Sequence, residues 1–290
     1  MHIPTLELHA AASFEDATAL LSKYSPDIRI LAGGTDVLTD LKSNVTGVGH
    51  LVTLGQIDSM RRISEEVDGL RIGALTTISE IVDSPLIGGA YEVLREAASQ
   101  MATFQIRNTA TIGGNLASAN PCADLPPALM VLNAAAVVIS ADGQRNVPLN
   151  ELITGPRETK LESNEVLAAV LVPRPPARFG AAYARFGLRN GNSIAVASVA
   201  ASLVLNDDGT VQQARIALGA VAPVPTMVEG ANLWLEGRKL NGDASAEAAR
   251  AAMQAAEPIS DIRGSAEYRR ELVGVLTKRA LKAAEKRAKG

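Results

Sequence analysis

The sequence is poor in the residues from which proteins build metal sites and acid–base machinery. Its 290 residues include one cysteine, Cys122, and three histidines, His2, His9 and His50. A single cysteine excludes an internal disulfide, and it excludes an iron–sulfur cluster or a cysteine-rich zinc site held by this chain alone. The histidines show no metal-ligand spacing. We therefore expect no metal site and no catalytic residue in this chain, and an enzyme of this composition depends on a bound cofactor.

The sequence also has few aromatic residues, a small net charge and no long apolar run, and these features narrow the class of protein. Aromatic residues make up 3% of the chain, and the net charge is -3 at pH 7. This charge gives no reason to expect nucleic acid or an anionic membrane surface as a partner. The N-terminus lacks the basic and then apolar pattern of a signal peptide, and no apolar run is long enough to span a bilayer. The sequence therefore predicts a soluble, cytoplasmic protein that is long enough for two domains.

Glycine pairs among small hydrogen-bonding residues are the most informative feature of the chain. Residues 107–121 read RNTATIGGNLASANP, and a smaller version, LAGGTD, occupies residues 31–36. Paired glycines let the main chain approach a ligand, and successive N–H groups in such a turn form a concave anion site. Thr111 and Asn115 add side-chain donors. Two such loops predict a diphosphate cradle, and a dinucleotide is the commonest ligand held at two places.

Each glycine pair also has a simpler interpretation as an ordinary turn. Neither stretch matches G-x-G-x-x-G or G-x-x-x-x-G-K-[ST]. This mismatch disfavours a Rossmann nicotinamide site and a P-loop kinase site.

A proline cluster at residues 173–176 divides the chain, because proline interrupts both helices and sheet ladders. Before the cluster, a sequence that resembles a capping box predicts the start of a helix at residues 13–24. The next three predicted elements, a strand at 28–31, a helix from Asp36 and a strand at 51–54, form a β-α-β unit. Shorter strands, a long helix at 86–99 and a hairpin around Asp142-Gly143 follow. After the prolines, the runs 181–189, 193–205 and 212–221 predict a three-stranded antiparallel sheet covered by helices.

Four motifs, in this order and at family spacing, carry a resemblance over nearly the whole chain. They are AGGTD at 32–36, IRNTATIGGN at 106–115, NPCAD at 120–124 and DIRGSAEYRR at 261–270. The sequence resembles the FAD-binding medium subunit of the molybdenum hydroxylases, the group of xanthine dehydrogenase and carbon monoxide dehydrogenase. The resemblance implies an α+β fold with a two-part FAD-binding domain of the vanillyl-alcohol-oxidase type. That domain would cover residues 1–176, as a β-α-β subdomain (1–55) and a larger one (56–176), before a small C-terminal α+β domain (177–290).

The resemblance also implies where FAD binds. The two glycine loops would hold the diphosphate and ribityl chain, Asp124 would add a polar contact, and Met101 and Leu167 would line the cofactor. Arg185 stands where relatives commonly have lysine, and Ser193 where they frequently have aspartate. The implied cofactor-binding residues are Leu31, Ala32, Gly33, Gly34, Thr35, Asp36, Met101, Thr111, Gly113, Gly114, Asn115, Asp124, Leu167 and Arg185.

By the same resemblance, the chain would pass electrons through FAD from partner iron–sulfur clusters to an external acceptor. A small iron–sulfur subunit and a large molybdopterin-binding subunit would be its partners, in a dimer of heterotrimers. The clusters and molybdopterin are expected only on those partners, because Cys122 alone cannot supply a cluster-binding insertion. Two alternatives remain open: a self-contained FAD-dependent oxidoreductase and a non-redox nucleotide-binding protein.

Overall fold

The computed structural model describes residues 5–43, 45, 47–189 and 191–290. Its strands form a three-stranded, a five-stranded and a four-stranded sheet together with a two-stranded ribbon, and helices cover the sheets. Across these described ranges no helix has the combination of length and apolarity that crossing a membrane requires. The predicted α+β class is confirmed.

The N-terminal part of the chain builds the small parallel sheet. Its elements are β1 (Glu7–Ala10), α1 (Phe14–Tyr24), β2 (Ile28–Leu31), α2 (Val37–Lys42) and β3 (His50–Thr53). The strand order is β1-β3-β2 with both pairs parallel, because α1 and α2 return the chain to the starting edge. The side chain of Ser13 caps α1 by accepting the Asp16 N–H at 3.1 Å. The sequence did not predict β1, since this short, largely exposed edge strand has no strong apolar pattern.

The middle of the chain builds the five-stranded antiparallel sheet, the two-stranded ribbon and the helices around them. The elements of this part are β4 (Ile63–Glu66), β5 (Gly69–Gly73), α3 (Ile78–Asp83), α4 (Glu92–Ser99), α5 (Phe104–Arg107), α6 (Ile112–Ala117), α7 (Leu125–Val131), β6 (Ala135–Ser140), β7 (Gly143–Pro148), α8 (Leu149–Leu152), β8 (Ile153–Gly155), β9 (Glu158–Thr159) and β10 (Val166–Pro173). The strand order of the five-stranded sheet is β4-β5-β10-β6-β7. A bulge in β10 between Leu167 and Ala169 leaves the Ala168 carbonyl to accept the Ala74 N–H at 3.0 Å. This bond attaches the end of β5, next to the glycine-rich segment, to the centre of the sheet.

The C-terminal part builds the four-stranded antiparallel sheet. Its elements are β11 (Phe179–Gly187), β12 (Ala195–Leu205), β13 (Val211–Gly219), β14 (Thr226–Met227), α9 (Ala231–Leu235), α10 (Gly242–Ala255) and α11 (Ala266–Lys289). Strand β12 is buried over its whole length because α11 and α7 both pack against it. On the α7 side, Ser202 donates its hydroxyl to the Val131 carbonyl at 3.1 Å. The C-terminal sheet is thereby packed onto the segment that follows the glycine-rich stretch.

Two further details differ from the sequence prediction. The C-terminal sheet has four strands where the sequence predicted three, because the two-residue β14 is too short to give a periodic pattern. The predicted helix at 86–99 begins only at Glu92, after a 3₁₀ turn over Gly89–Tyr91. Gly89 has a positive φ of 55°, which a continuous helix does not allow. The hairpin predicted around Asp142-Gly143 is confirmed by the pairing of Ser140 with Gly143.

Candidate functional site

A large cavity opens where the parallel sheet meets the five-stranded sheet. Its volume is about 980 Å³, at the upper end of the range for ligand pockets. The residues predicted from the family resemblance that line it are Ala32, Gly33, Gly34, Thr35, Asp36, Met101, Thr111, Gly113, Gly114, Asn115, Asp124 and Leu167. Segments far apart in the sequence therefore converge on one site.

The first glycine loop offers main-chain donors to this cavity. It follows β2 directly, and Gly34 turns the chain with a φ of 75° before α2 begins at Val37. The N–H groups of residues 33–36 donate to no acceptor among the residues that the structure describes. Four successive amides at the edge of a cavity form a concave site suited to anionic oxygens. Arg157 also lines the cavity nearby, where its charge is paired with the Asp40 carboxylate at 2.6 and 3.2 Å.

The second glycine stretch differs from its predicted form, because it is the first turn of helix α6. Thr111 caps this helix, and its Oγ1 accepts the Gly114 N–H at 3.1 Å. The N–H groups of Ile112 and Gly113 donate to the main-chain carbonyls of Thr76 and Ala74, just after β5, at 3.0 and 2.8 Å. Three amides that the sequence analysis assigned to a diphosphate cradle are thus already bonded within the protein. The amides without an acceptor among the described residues lie instead at residues 33–36 in the first loop, and a role of the second stretch in cofactor binding stays a prediction.

Asn115 provides the clearest open hydrogen-bonding group on the α6 side. Its Oδ1 is buried and has no partner among the described residues, although the side chain lines the cavity. Its Nδ2 lies 3.9 Å from the Met101 sulfur, which is a weak contact. A buried amide oxygen without a partner costs free energy, so this atom is placed to accept a hydrogen bond from a ligand.

Asp124 is a buried carboxylate in the cavity wall. Its Oδ1 accepts the Tyr183 hydroxyl at 2.7 Å and the Arg185 Nε–H at 2.9 Å, and the Asp124 and Arg185 side chains are each 8% exposed. Burial raises the pKa of Asp124, and the Arg185 charge together with the two hydrogen bonds partly offsets that rise. Burial and the Asp124 charge raise the pKa of Tyr183 well above its usual value. Arg185 also donates to the Ser193 carbonyl, so it ties Asp124 to the 192–194 segment of the wall.

Two of the predicted site residues do not line the described cavity. Leu31 packs in a small apolar cluster with Leu41, Val48 and Leu51. Arg185 is paired with Asp124, at 2.9 Å, and does not itself line the cavity. Conversely, sequence reasoning missed Tyr183 and Arg157. Tyr183 is 59 residues from Asp124 in the sequence, and Arg157 is 117 residues from Asp40. A local sequence pattern therefore could not predict either contact.

The motif at 261–270 connects the C-terminal part to the cavity wall. Asp261 binds the guanidinium groups of Arg263 and Arg269, at 2.6 and 2.5 Å, and Arg269 is almost fully buried. Hydrogen bonds from Arg263, together with Arg269, hold the pKa of Asp261 well below its usual range. Arg263 in turn lies 3.7 Å from the sulfur of Cys122, which lines the cavity. The ion pairs of this motif therefore hold Arg263 against Cys122 in the cavity wall.

Comparison with known proteins identifies two families along the chain. The family described as the FAD binding domain in molybdopterin dehydrogenase matches residues 4–175. The CO dehydrogenase flavoprotein C-terminal domain matches residues 181–284. The carbon monoxide dehydrogenase medium chain of Hydrogenophaga pseudoflava is 35% identical over 97% of both chains. The putative xanthine dehydrogenase FAD-binding subunit of Escherichia coli is 33% identical, again over 97% of both chains.

Solved structures give the same result. A chain of the H. pseudoflava carbon monoxide dehydrogenase that lacks the Mo-pyranopterin moiety superposes with a TM-score of 0.95 and 36% identity, over 99% of both chains. A chain of quinoline 2-oxidoreductase from Pseudomonas putida 86 superposes with a TM-score of 0.92 and 31% identity, over 99% of this chain and 100% of the other. The protein therefore belongs to the family of FAD-binding medium subunits of the molybdenum hydroxylases, and it is an oxidoreductase subunit with an FAD-binding domain.

Proposed function

We propose that this chain carries FAD as the electron-transfer subunit of a molybdenum-containing hydroxylase or dehydrogenase complex. The observation that supports this best is the convergence of free main-chain amides at residues 33–36 and the unpartnered Asn115 Oδ1 on one cavity of about 980 Å³. Amides suit the diphosphate of a dinucleotide, and a side-chain carbonyl suits its hydroxyl or ring N–H groups. The fourteen residues named from the sequence remain our proposed cofactor-binding set, with Leu31 and Arg185 acting from behind the wall.

The chain's own residues bind, orient and shield the cofactor in this proposal. The amides of residues 33–36 stabilise the diphosphate by donating hydrogen bonds, without a lysine and beside the Arg157–Asp40 ion pair. Met101 and Leu167 provide apolar surface that excludes water from the flavin ring. Asp124, held by Tyr183 and Arg185, fixes a buried polar group in the wall. Bound FAD would supply the redox chemistry, accepting electrons from iron–sulfur clusters of a partner and delivering them to an external acceptor.

The partners follow from the family. Relatives of this chain are named as medium chains or FAD-binding subunits, which implies further subunits in each complex. We propose a small iron–sulfur subunit and a large molybdopterin-binding subunit, assembled as a dimer of heterotrimers. Within this chain, we propose that residues 1–176 form the FAD-binding domain and residues 177–290 the C-terminal domain. The separate five-stranded and four-stranded sheets support that division.

The test compares the purified chain with the complex obtained by co-expressing it with iron–sulfur and molybdopterin subunits encoded beside it. Flavin, iron and molybdenum are quantified in both, and substrate oxidation is assayed with an artificial acceptor. We expect FAD alone in the isolated chain, no turnover by it, and turnover only by the complex. Turnover by the isolated chain without molybdenum would establish the self-contained oxidoreductase instead. A folded chain without flavin would favour the non-redox nucleotide-binding alternative.

A further inference from the structure

Three side chains with metal-binding atoms meet on the parallel sheet, outside the cavity lining. Strands β1 and β3 are parallel neighbours in a register that pairs Glu7 with His50. Successive side chains of a strand alternate between its two faces, so Glu7 and His9 share one face, and His50 joins them from β3. The structure brings Glu7 Oε2, His9 Nε2 and His50 Nδ1 within 4.8 Å of one another.

The two histidine nitrogens are within hydrogen-bond distance of each other, and the three ligand atoms together are also spaced as a shared metal ion requires. The His9 and His50 nitrogens are 3.1 Å apart, and Glu7 Oε2 lies 3.4 Å from His50 Nδ1 and 3.8 Å from His9 Nε2. Zinc bonds to nitrogen and oxygen of about 2.0–2.2 Å place tetrahedral ligands about 3.3–3.6 Å apart. Both Glu7 distances exceed those of ordinary hydrogen bonds, whereas all three separations lie close to the edges of such a tetrahedron.

The surroundings hold the two imidazoles in place. The ring of Tyr24, the last residue of α1, stacks on His50 with centroids 3.9 Å apart and on His9 with centroids 5.0 Å apart. Stacking fixes the ring planes, so two of the three ligands are already oriented before a cation binds. The histidine side chains are 19% exposed and that of Glu7 is 68% exposed. The cluster therefore opens to water on the Glu7 side.

We propose that Glu7, His9 and His50 bind a divalent transition-metal cation of the Zn²⁺ class, with water in the remaining position. Two imidazoles and one carboxylate suit Zn²⁺ far better than Mg²⁺ or Ca²⁺, which prefer oxygen ligands. The cation joins the exposed edge strand β1 to the central strand β3 and so stabilises the N-terminal sheet. The sequence analysis expected no metal, because these ligands come from two strands and His9 and His50 are 41 residues apart.

The test uses the full chain, freed of any affinity tag and of metal by chelation, and titrated calorimetrically with Zn²⁺. We expect about one Zn²⁺ per chain and a higher melting temperature in its presence. His9→Gln and His50→Gln should each weaken binding at least about tenfold, since even the loss of groups that only orient a ligand costs that much. Glu7→Gln should weaken it too, and because Glu7 is exposed this change leaves the fold intact. Glu66→Gln, an exposed glutamate on β4, is the matched control and should not alter binding.

Mg²⁺ serves as a second probe and should bind far more weakly than Zn²⁺. Absence of saturable Zn²⁺ binding by the wild-type chain would overturn the proposal. Binding that survives in a folded double variant with His9→Gln and His50→Gln would overturn it as well, because the cation would then sit elsewhere. Circular dichroism of each variant verifies that weaker binding reflects the lost ligand and not an unfolded sheet.

Discussion

Gly33 packs directly against the main chain of Thr109, so the two glycine-bearing segments are joined to each other by protein contacts. A Cβ added to Gly33 would overlap the Thr109 carbonyl oxygen, and one added to Gly113 would come within 2.7 Å of Ala74. Gly114 differs, because an added Cβ would meet only the Thr111 hydroxyl, at 3.1 Å. Glycines that look equivalent in the sequence therefore serve different purposes: Gly33 and Gly113 allow close packing, and Gly114 keeps the cavity wall open.

Substitutions at these glycines should separate folding from cofactor binding. Gly114→Val should give a folded chain whose FAD affinity is lower by about 1–3 kcal/mol, roughly 5- to 150-fold, because the side chain occupies cavity space. Gly33→Ala should lower the melting temperature itself, because the loops can no longer pack. Gly242→Ala, where an added Cβ meets nothing within 4 Å, is the control. Equal loss of stability in Gly33→Ala and Gly114→Val would contradict the distinction.

Asn115→Leu should weaken FAD binding while leaving the flavin-free chain at least as stable as before. The substitution removes a buried oxygen that has no partner among the described residues, so the apoprotein loses no hydrogen bond through that atom. The loss of one buried hydrogen bond to the ligand should cost about 1–3 kcal/mol of binding free energy. Fluorescence titration with FAD and thermal unfolding of the apoprotein measure the two effects.

Thr277→Val is the matched control, since Thr277 Oγ1 is also buried without a partner among the described residues but lies in α11, outside the cavity lining. It should leave FAD affinity unchanged. An Asn115→Leu variant with wild-type FAD affinity would exclude Asn115 from the cofactor site.

Arg185→Met should destabilise the chain most at neutral pH. The change leaves the Asp124 carboxylate buried without its cation, which costs about 3–5 kcal/mol of unfolding free energy. The pKa of Asp124 is already raised by burial and should rise further, so the folded variant takes up a proton more readily. The penalty should therefore shrink as pH falls through that raised pKa.

Chemical unfolding of the Arg185→Met variant between pH 5 and pH 8 measures this dependence. Arg185→Lys, which keeps the positive charge beside Asp124, should lose much less stability. A destabilisation by Arg185→Met that is independent of pH would mean that packing, and not the charge of Asp124, accounts for the effect.

The folding stability of the protein should depend on whether Asp261 is ionised, and therefore on pH in the acidic range. Its pKa is lowered from 3.8 by hydrogen bonds from Arg263 and by Arg269, so the ionised form stabilises the folded state. That contribution is complete above the unfolded pKa and is lost as pH falls towards the lower folded value. Asp261→Asn should therefore be less stable than the wild type at pH 7, with a difference that narrows below about pH 4. Thermal melting curves of both proteins across this range measure it; a constant difference would refute the argument.

Secondary-structure elements could be predicted from the sequence where the apolar pattern extends over several residues. The candidate site could be predicted where glycine pairs make the motif unusual. The strand at 28–31, the helix at 266–288 and the glycine loops depend on local apolar spacing and turn residues, which a single segment reveals. Short edge strands such as β1 and β14 have too few residues to show a period. The sequence also could not show which amides stay free, because Gly113 donates to Ala74, a residue 39 positions away whose position depends on a bulge in β10.

The same limit applies to charged groups. The pairs Tyr183–Asp124, Arg157–Asp40 and Arg287–Glu96 join residues separated by 59, 117 and 191 positions. Nothing in the neighbourhood of either partner marks these contacts, because they depend on how the three sheets pack. The Glu7, His9 and His50 cluster escaped detection for the same reason: its ligands combine strand alternation with the register of a parallel pair.

We propose that this chain binds one FAD in the cavity between residues 33–36 and Asn115. The most direct measurement is denaturation of the purified chain followed by chromatographic identification and quantification of the released flavin, in the wild type and in Gly114→Val. We predict one FAD per wild-type chain and a large deficit in a Gly114→Val chain that is equally well folded. No flavin in the folded wild-type chain, or a full complement of FAD in the variant, would contradict the account.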